Sequence, residues 1–219
     1  MTSATSSSRQ QSLAIGAFIV IASAYWISLW LPAIPGNWVL KFTPMLIAAA
    51  ILARSLQQPY AAVMALGFVA AAGGDLFLAL ERHDYFVQGL SCFLITQIAY
   101  ALVFFGRRES LRARWIWWLP IPLFGLGVFI LLMPSLDRYL IPVAIYVTAL
   151  VIMAVGASLV GSRPGRIYVG AWFFVLSDAL IGIDRFLYSF DHSLKVIIAT
   201  YFIAQYLIFT GCLRALPQR

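Results

Sequence analysis

Long apolar stretches fill almost the whole chain, and this feature constrains the fold more than any other. Eight of them follow one another, each about 20 residues long, which is the length that crosses the hydrocarbon core of a bilayer as a helix. They are residues 12–31, 39–56, 60–80, 85–105, 115–133, 139–160, 167–187 and 194–213. Backbone amides at lipid depth find no water to bond, so each stretch is predicted to be helical.

The composition excludes a soluble globule. Hydrophobic residues make up 63% of the chain and charged residues 11%, whereas soluble domains carry about 25% charged residues. The connections between the stretches are too short to hold a soluble domain. We therefore expect an all-α, polytopic membrane protein with one transmembrane domain, residues 12–213. A polar tail, residues 1–11, is expected to be disordered before it, and a short tail, residues 214–219, to follow it.

The basic residues predict the orientation of the helices. Of the fifteen Lys and Arg residues, ten fall on one side of the predicted topology, and this side is expected to be cytoplasmic. The remaining five are Lys41, Arg82, Arg138, Arg185 and Lys195. Both termini are then cytoplasmic and the number of spans is even. We expect a multi-pass protein of a bacterial inner membrane, whose net charge of +7 reflects topology and no nucleic-acid partner.

The two halves of the chain show a weak internal similarity. The first half carries Pro44, Asp75 and Gln97 on its second, third and fourth stretches, and the second half carries a proline, Asp178 and Gln205 in the same order. This pattern is compatible with a parallel duplication of four helices.

The acidic residues direct attention to a possible site. Five of the eight fall in predicted loops: Glu81, Asp84, Glu109, Asp137 and Asp191. Asp75, Asp178 and Asp184 lie in apolar stretches, where a carboxylate costs about 2.5–3.5 kcal/mol at helix centre and is a functional candidate. Asp184 is near the end of its stretch, and a solvated or ion-paired cap explains it equally well.

Asp75 is predicted to lie in a narrow cleft. Gly67, Ala71 and Gly74 share its helix with small-residue spacing, which lets a neighbouring helix approach closely. Lys41 lies at a similar depth. The alternative is a structural role in which Asp75 forms an ion pair with Lys41.

Asp178 lies close to the midplane of its helix. Arg185 follows on the same face, about 10 Å away along the axis, so a direct pairing is not expected. Further polar side chains occur near mid-depth, each of which more often bonds two helices than takes part in catalysis. They are Gln97, Tyr100, Tyr146, Tyr201 and Gln205.

Other chemistries are disfavoured. The two histidines, His83 and His192, lie in predicted loops beside Asp84 and Asp191, where solvated polarity explains them better than a metal site. Neither a zinc-protease, nucleophile-elbow nor nucleotide motif occurs. Cys92 and Cys212 differ by about 17 Å in depth, too far for a disulfide.

The chain resembles the YhhN family in several ordered segments. The resemblance runs from about Lys41 to Gly211 and includes Gly73-Gly74-Asp75 and Ser177-Asp178. It also includes residues 142–146, 170–180 and 201–206. Two departures occur: Gln97 stands where the family often has histidine, and its Lys–Pro pair is split by two residues, between Lys41 and Pro44.

The resemblance implies a lysoplasmalogenase, a multi-pass hydrolase that cleaves the vinyl ether bond of lysoplasmalogens. The substrates would be lysoplasmenylethanolamine or lysoplasmenylcholine, drawn from membrane lipid. The products would be a fatty aldehyde and glycerophosphoethanolamine or glycerophosphocholine. Asp75 and Asp178 would be the functional acids. The residues expected to bind substrate, from resemblance and depth together, are Lys41, Gln97, Tyr146, Ser177, Asp184, Arg185 and Gln205.

Chemistry supports this implication. Proton delivery to the β-carbon of a vinyl ether gives an oxocarbenium ion that water captures. As in glycosidases, this reaction needs one protonated and one ionised carboxyl. It requires no metal or organic cofactor. We assign the acid to Asp178, as the deeper and more desolvated carboxyl, and the ionised partner to Asp75; the residues alone leave the reverse open.

The phosphate of the substrate would lie near Lys41 or Arg185. Two other hypotheses are a small carrier that uses the same carboxylates and a structural membrane protein.

Overall fold

Helices make up nearly all of the described chain. The computed structural model describes residues 2–32, 34–54, 58–80, 84–108, 110–161 and 165–215. Within these ranges there are nine α-helices and no β-strand. The helices are α1 (Thr2–Ser28), α2 (Trp38–Ala53), α3 (Pro59–Leu80), α4 (Phe86–Gly106), α5 (Trp115–Trp118), α6 (Pro120–Leu132), α7 (Leu140–Ser158), α8 (Arg166–Phe186) and α9 (Ser193–Ala215).

The predicted polytopic all-α architecture is confirmed. Seven helical segments of the described chain are long and apolar enough to cross a membrane. They are Arg9–Ser28, Tyr60–Leu80, Phe86–Gly106, Arg112–Ser135, Asp137–Ser158, Arg166–Phe186 and Ser193–Arg214. The remaining predicted span corresponds to α2, which has 16 residues and is therefore about 24 Å long, shorter than the hydrocarbon core of about 30 Å.

Two predicted segments differ from the structure in detail. The stretch 115–133 is divided into α5 and α6 at Leu119, because Pro120 has no amide hydrogen to continue the first helix. The polar tail expected to be disordered is helical in its described part, since α1 begins at Thr2. No glycine or proline interrupts the sequence between there and the apolar run, and the amide oxygen of Gln10 accepts a hydrogen bond from Arg54 Nη1 at 2.8 Å.

Large apolar side chains are exposed on the outer faces of the helices. On α6, Leu123, Leu126 and Ile130 are each more than half exposed, and their spacing places them on one side of the helix. Water would disfavour such faces, whereas lipid tails solvate them. This surface is the one that a membrane-spanning helix requires.

The described chain forms two compact units, of which the first runs to Thr96. In this unit α2 packs against both α1 and α3. The first part of α4 approaches α3 closely, because Thr96 Oγ1 donates a hydrogen bond to the carbonyl oxygen of Gly67 at 3.0 Å. A Cβ on Gly74 would lie 2.6 Å from the ring of Phe93. The predicted small-residue face of α3 is thereby confirmed as a helix-packing surface.

The second unit spans Gln97–Ala215. Its closest helix pair is α8 and α9, where a Cβ on Gly170 would lie 2.9 Å from the carbonyl oxygen of Ala204. Helix α7 packs against α8, and α6 packs against both. Gly182 provides the space in α8 for Leu132 of α6.

Both cysteines are free thiols, as the difference in depth predicts. Cys92 is half-buried on α4 and Cys212 is buried on α9.

Candidate active site

In the first unit, Asp75 lies on α3 next to a lysine of α2. Asp75 is 1% exposed and Lys41 6% exposed, and the Lys41 Nζ and Asp75 Oδ1 atoms are 3.7 Å apart. Each charge compensates the other in a place where neither is hydrated, and such pairs are costly to break from one side only. The ion pair that the structural alternative predicts is therefore present, and it holds a carboxylate at a fixed position.

The wall around Asp75 is built from small residues. Ala71 is fully buried, and Gly73 and Gly74 bring the backbone of α3 close to Cys92 and Phe93 of α4. Larger side chains at these positions would separate the two helices. The sequence Gly73-Gly74-Asp75 thus allows a carboxylate to lie between tightly packed helices.

In the second unit, Asp178 of α8 receives hydrogen bonds from two other helices. The hydroxyl of Tyr146, on α7, donates to Asp178 Oδ2 at 2.7 Å, and the amide of Gln97, on α4, donates to the same oxygen at 3.4 Å. Both donors are neutral, unlike the lysine beside Asp75. Asp178 is half-buried whereas Asp75 is almost fully buried, so greater depth along the helix does not give Asp178 the greater burial that was expected.

The amide of Gln97 has one unsatisfied end. The residue is fully buried, and its Oε1 atom has no hydrogen-bond partner among the described residues. A buried polar atom without a partner costs about 1–3 kcal/mol. A hydroxyl group satisfies either end of an amide, because it both donates and accepts.

Gln205 and Ser177, which the sequence suggests as substrate-binding residues, form hydrogen bonds between helices. Gln205 Oε1 accepts a hydrogen bond from the hydroxyl of Tyr100 at 2.9 Å, and its amide nitrogen donates to the hydroxyl of Tyr201 at 3.3 Å. Ser177 Oγ donates to the carbonyl oxygen of Ile197 at 3.1 Å. These bonds connect α9 with α4 and α8. Both side chains therefore contribute to helix packing.

Asp184 and Arg185 lie two turns from Asp178, at the end of α8. Asp184 Oδ1 accepts a hydrogen bond from Ser189 Oγ at 2.8 Å. The Arg185 Cζ atom lies 5.8 Å from the ring centres of both Tyr139 and Phe186.

Sequence reasoning missed Arg138 and Tyr139, which lie just before α7. Arg138 Nη2 donates to the hydroxyl of Tyr139 at 3.0 Å, and its Cζ atom lies 5.0 Å from the ring centre. The signal was available in the sequence, because Tyr139 precedes Tyr146 by two helical turns and so shares its face.

The structure offers no group of metal ligands in its described part. No three His, Cys, Asp or Glu side chains gather there. His192 Nδ1 accepts a hydrogen bond from Lys195 Nζ at 3.2 Å. The other histidine, His83, lies outside the described residues, as do the loop acids Glu81 and Glu109.

Known proteins resemble this chain over most of its length. It is 31% identical to Lysoplasmalogenase TMEM86A of Bos taurus over 85% of this chain and 83% of the relative. The protein of the same name from Homo sapiens matches with the same figures. Lysoplasmalogenase TMEM86B of Homo sapiens is 28% identical over 90% of this chain and 85% of its own. No solved structure matches.

The family model gives the same result as the relatives. The model of the YhhN family matches residues 36–212. This range contains Asp75 with Lys41, as well as Asp178 with Tyr146 and Gln97. The chain therefore belongs to the YhhN family.

Proposed function

We propose that this chain is a lysoplasmalogenase, which hydrolyses the vinyl ether bond of a lysoplasmalogen within the membrane. The observation that carries the proposal is the carboxyl of Asp178, which lies in a membrane-spanning helix with Tyr146 and Gln97 as donors. The membership of the chain in the YhhN family and its similarity to proteins named lysoplasmalogenases support the same activity.

The reaction needs a proton donor at carbon. Protonation of the β-carbon of the vinyl ether places positive charge on the α-carbon and its oxygen, and this oxocarbenium ion then takes up water. The resulting hemiacetal breaks into a fatty aldehyde and the glycerol hydroxyl of glycerophosphoethanolamine or glycerophosphocholine. In our proposal Asp178 delivers the proton, and the Tyr146 hydroxyl stabilises the carboxylate that this leaves.

The second carboxylate in the proposal is Asp75. The ammonium of Lys41 lies 3.7 Å from its carboxylate and compensates an ionised state. An ionised carboxylate stabilises an oxocarbenium ion and accepts a proton from the attacking water, as in glycosidases. We assign these roles to Asp75, and Lys41 supports it through its charge.

The free hydroxyl of the lysolipid is assigned to Gln97. A lysoplasmalogen differs from a plasmalogen by this hydroxyl at the second glycerol carbon, next to the carbon that bears the vinyl ether. Gln97 Oε1 is buried and unsatisfied, and its amide nitrogen contacts Asp178. A site that hydrogen-bonds a substrate hydroxyl discriminates strongly against analogues that lack it.

The experiment is an assay of the purified protein in detergent micelles with lysoplasmenylethanolamine, with fatty aldehyde and glycerophosphoethanolamine as the measured products. Wild-type protein is expected to release both in equal amounts. Asp178→Asn and Asp75→Asn are expected to abolish release while the proteins remain folded. Asp191→Asn, which changes an exposed loop acid, is the matched control and should keep wild-type activity.

Two results would contradict the proposal. One is wild-type turnover in both carboxylate variants. The other is substrate flux across proteoliposomes without any aldehyde, which is the behaviour of the carrier considered in the sequence analysis.

We also propose that both termini are cytoplasmic, because most of the basic residues then lie on the cytoplasmic side. This arrangement requires that the short helix α2 also crosses the membrane. A reporter that is active only in the cytoplasm should be active when it is fused to either terminus. An inactive fusion at one terminus or at both would contradict the orientation.

A further inference from the structure

Helices α7 and α8 carry two polar contacts in the same register. Tyr146 of α7 meets Asp178 of α8, and Tyr139, which immediately precedes α7, meets Arg185 at the end of α8. Each contact is seven residues from the other along both helices, so the pair is antiparallel. Two helical turns, about 10 Å, separate the contacts.

The contact at the helix ends contains two guanidinium groups on one tyrosine. Arg138 donates a hydrogen bond to the Tyr139 hydroxyl, and both Arg138 and Arg185 lie near its ring, with Cζ atoms 5.0 Å and 5.8 Å from the centre. Tyr139 thus holds two positive groups together. Arg138 is exposed and Arg185 half-buried, so a ligand can reach them from the membrane surface.

We propose that Arg138 and Arg185 bind the phosphate of the lysophospholipid head group, which fixes how deeply the substrate enters between the helices. This inference rests on the proposed function and adds the head-group site to it. Guanidinium groups are well suited to phosphate, because their planar donors match its oxygens in pairs.

The spacing of the two contacts fits the glycerol backbone of the substrate. Five single bonds separate the ether oxygen from the phosphorus, which is about 6 Å in extended form. A guanidinium nitrogen then reaches a phosphate oxygen across about 2.8 Å. With the phosphate at the two arginines, the vinyl ether therefore lies at the depth of Asp178.

The surrounding charges favour recognition by direct bonds over a general positive field. Asp137 precedes Arg138, and Asp184 precedes Arg185 and accepts a hydrogen bond from Ser189. The local net charge is consequently small, which suits a zwitterionic head group better than a strongly anionic one. Lys41, the other residue considered for the phosphate, is buried against Asp75.

The test measures binding and does not depend on catalysis. The probes are two lipids with a saturated ether in place of the vinyl ether: 1-O-alkyl lysophosphoethanolamine, and 1-O-alkylglycerol of the same chain length, which lacks the phosphate. Affinities are measured by titration of the full-length protein in detergent micelles. Wild-type protein is expected to bind the phospholipid more tightly.

The variant Arg138→Gln/Arg185→Gln should weaken phospholipid binding about 10- to 100-fold, as expected for lost charged hydrogen bonds. Binding of the alkylglycerol should not change. Arg112→Gln, at an exposed arginine before α5, is the matched control and should bind both lipids like wild type.

Equal loss of affinity for both lipids would overturn the proposal, since the arginines would then only stabilise the fold. Unchanged phospholipid binding in the double variant would overturn it as well. If binding follows the proposal but lysoplasmenylethanolamine is not cleaved, the head-group site stands and the proposed hydrolysis fails.

Discussion

The hydroxyl of Tyr146 donates to Asp178 Oδ2 at 2.7 Å, and this bond connects two membrane-spanning helices at a carboxyl. A tyrosine in this position holds the orientation of the carboxyl and, in the proposed reaction, also stabilises the negative charge that proton transfer leaves on it. Burial alone would provide neither effect.

Tyr146→Phe should therefore lower kcat more than it raises KM. A hydrogen bond to a charged group contributes about 1.5–3 kcal/mol, which corresponds to a decrease of about 10- to 100-fold in kcat. The measurement is steady-state aldehyde release from lysoplasmenylethanolamine. Tyr168→Phe is the matched control, because the Tyr168 hydroxyl donates to the backbone oxygen of Trp117 at an exposed position. A wild-type kcat in Tyr146→Phe would contradict the role given to this hydroxyl.

The ion pair between Lys41 and Asp75 separates a structural role from a catalytic one. Lys41→Met leaves a buried carboxylate without compensation, and Asp75→Asn leaves a buried ammonium, so each single variant should lose about 3–5 kcal/mol of stability. The double variant Lys41→Met/Asp75→Asn removes both charges and should recover most of it. Thermal unfolding in detergent is the measurement.

Activity of the same double variant decides between the two roles. We expect it to remain inactive although it is stable, because the proposed carboxylate is missing. Recovery of both stability and aldehyde release would mean that the pair serves only to join α2 and α3.

Much of the fold could be predicted because the membrane imposes simple rules. In a stretch of about 20 apolar residues that crosses a bilayer, the lipid offers the backbone amides no hydrogen-bond partner, so the stretch must be a helix. This rule predicts the all-α architecture without any knowledge of tertiary contacts. The break at Leu119 follows from Pro120 by the same kind of local argument, but the helical content of residues 2–11 does not. The proposed duplication stays a prediction. It pairs Gln97 of the first half with Gln205 of the second, and both residues belong to the second compact unit.

The site was predictable in its charges and less so in its contacts. The cost of a charge at lipid depth singled out Asp75 and Asp178, and a similar depth suggested Lys41 as the partner of Asp75. Which polar group meets which depends on the rotation of each helix about its axis, which the sequence does not specify. Ser177 and Gln205 therefore make bonds within helix packing, and the pairing of Tyr139 with Arg185 was not anticipated.

The contact of α8 with α9 should be sensitive to a single methyl group. A Cβ at Gly170 would lie 2.9 Å from the backbone oxygen of Ala204 and 3.0 Å from the backbone nitrogen of Ile208, and neither can move without shifting α9. Gly170→Ala should lower the free energy of unfolding by about 1–3 kcal/mol. Gly127→Ala places the same methyl group in a helix where nothing lies within 4 Å, so it should be neutral or slightly stabilising. Equal stability of the two variants would contradict this packing.

Gln97 provides the sharpest test of substrate choice. Its buried Oε1 atom is unsatisfied among the described residues, and the hydroxyl of a lysolipid would satisfy it. Wild-type protein should therefore prefer lysoplasmenylethanolamine over an analogue that lacks the hydroxyl at the second glycerol carbon. Gln97→Leu should reduce this preference about 10- to 100-fold, which corresponds to one hydrogen bond to a buried polar group. The measurement is the ratio of kcat/KM for the two substrates, in which general damage to the enzyme cancels. Gln205→Leu is the control, because the amide of Gln205 is already bonded to Tyr100 and Tyr201; it should lower both rates and leave their ratio unchanged. If Gln97→Leu keeps the wild-type ratio, the choice of lysolipid is made elsewhere in the protein.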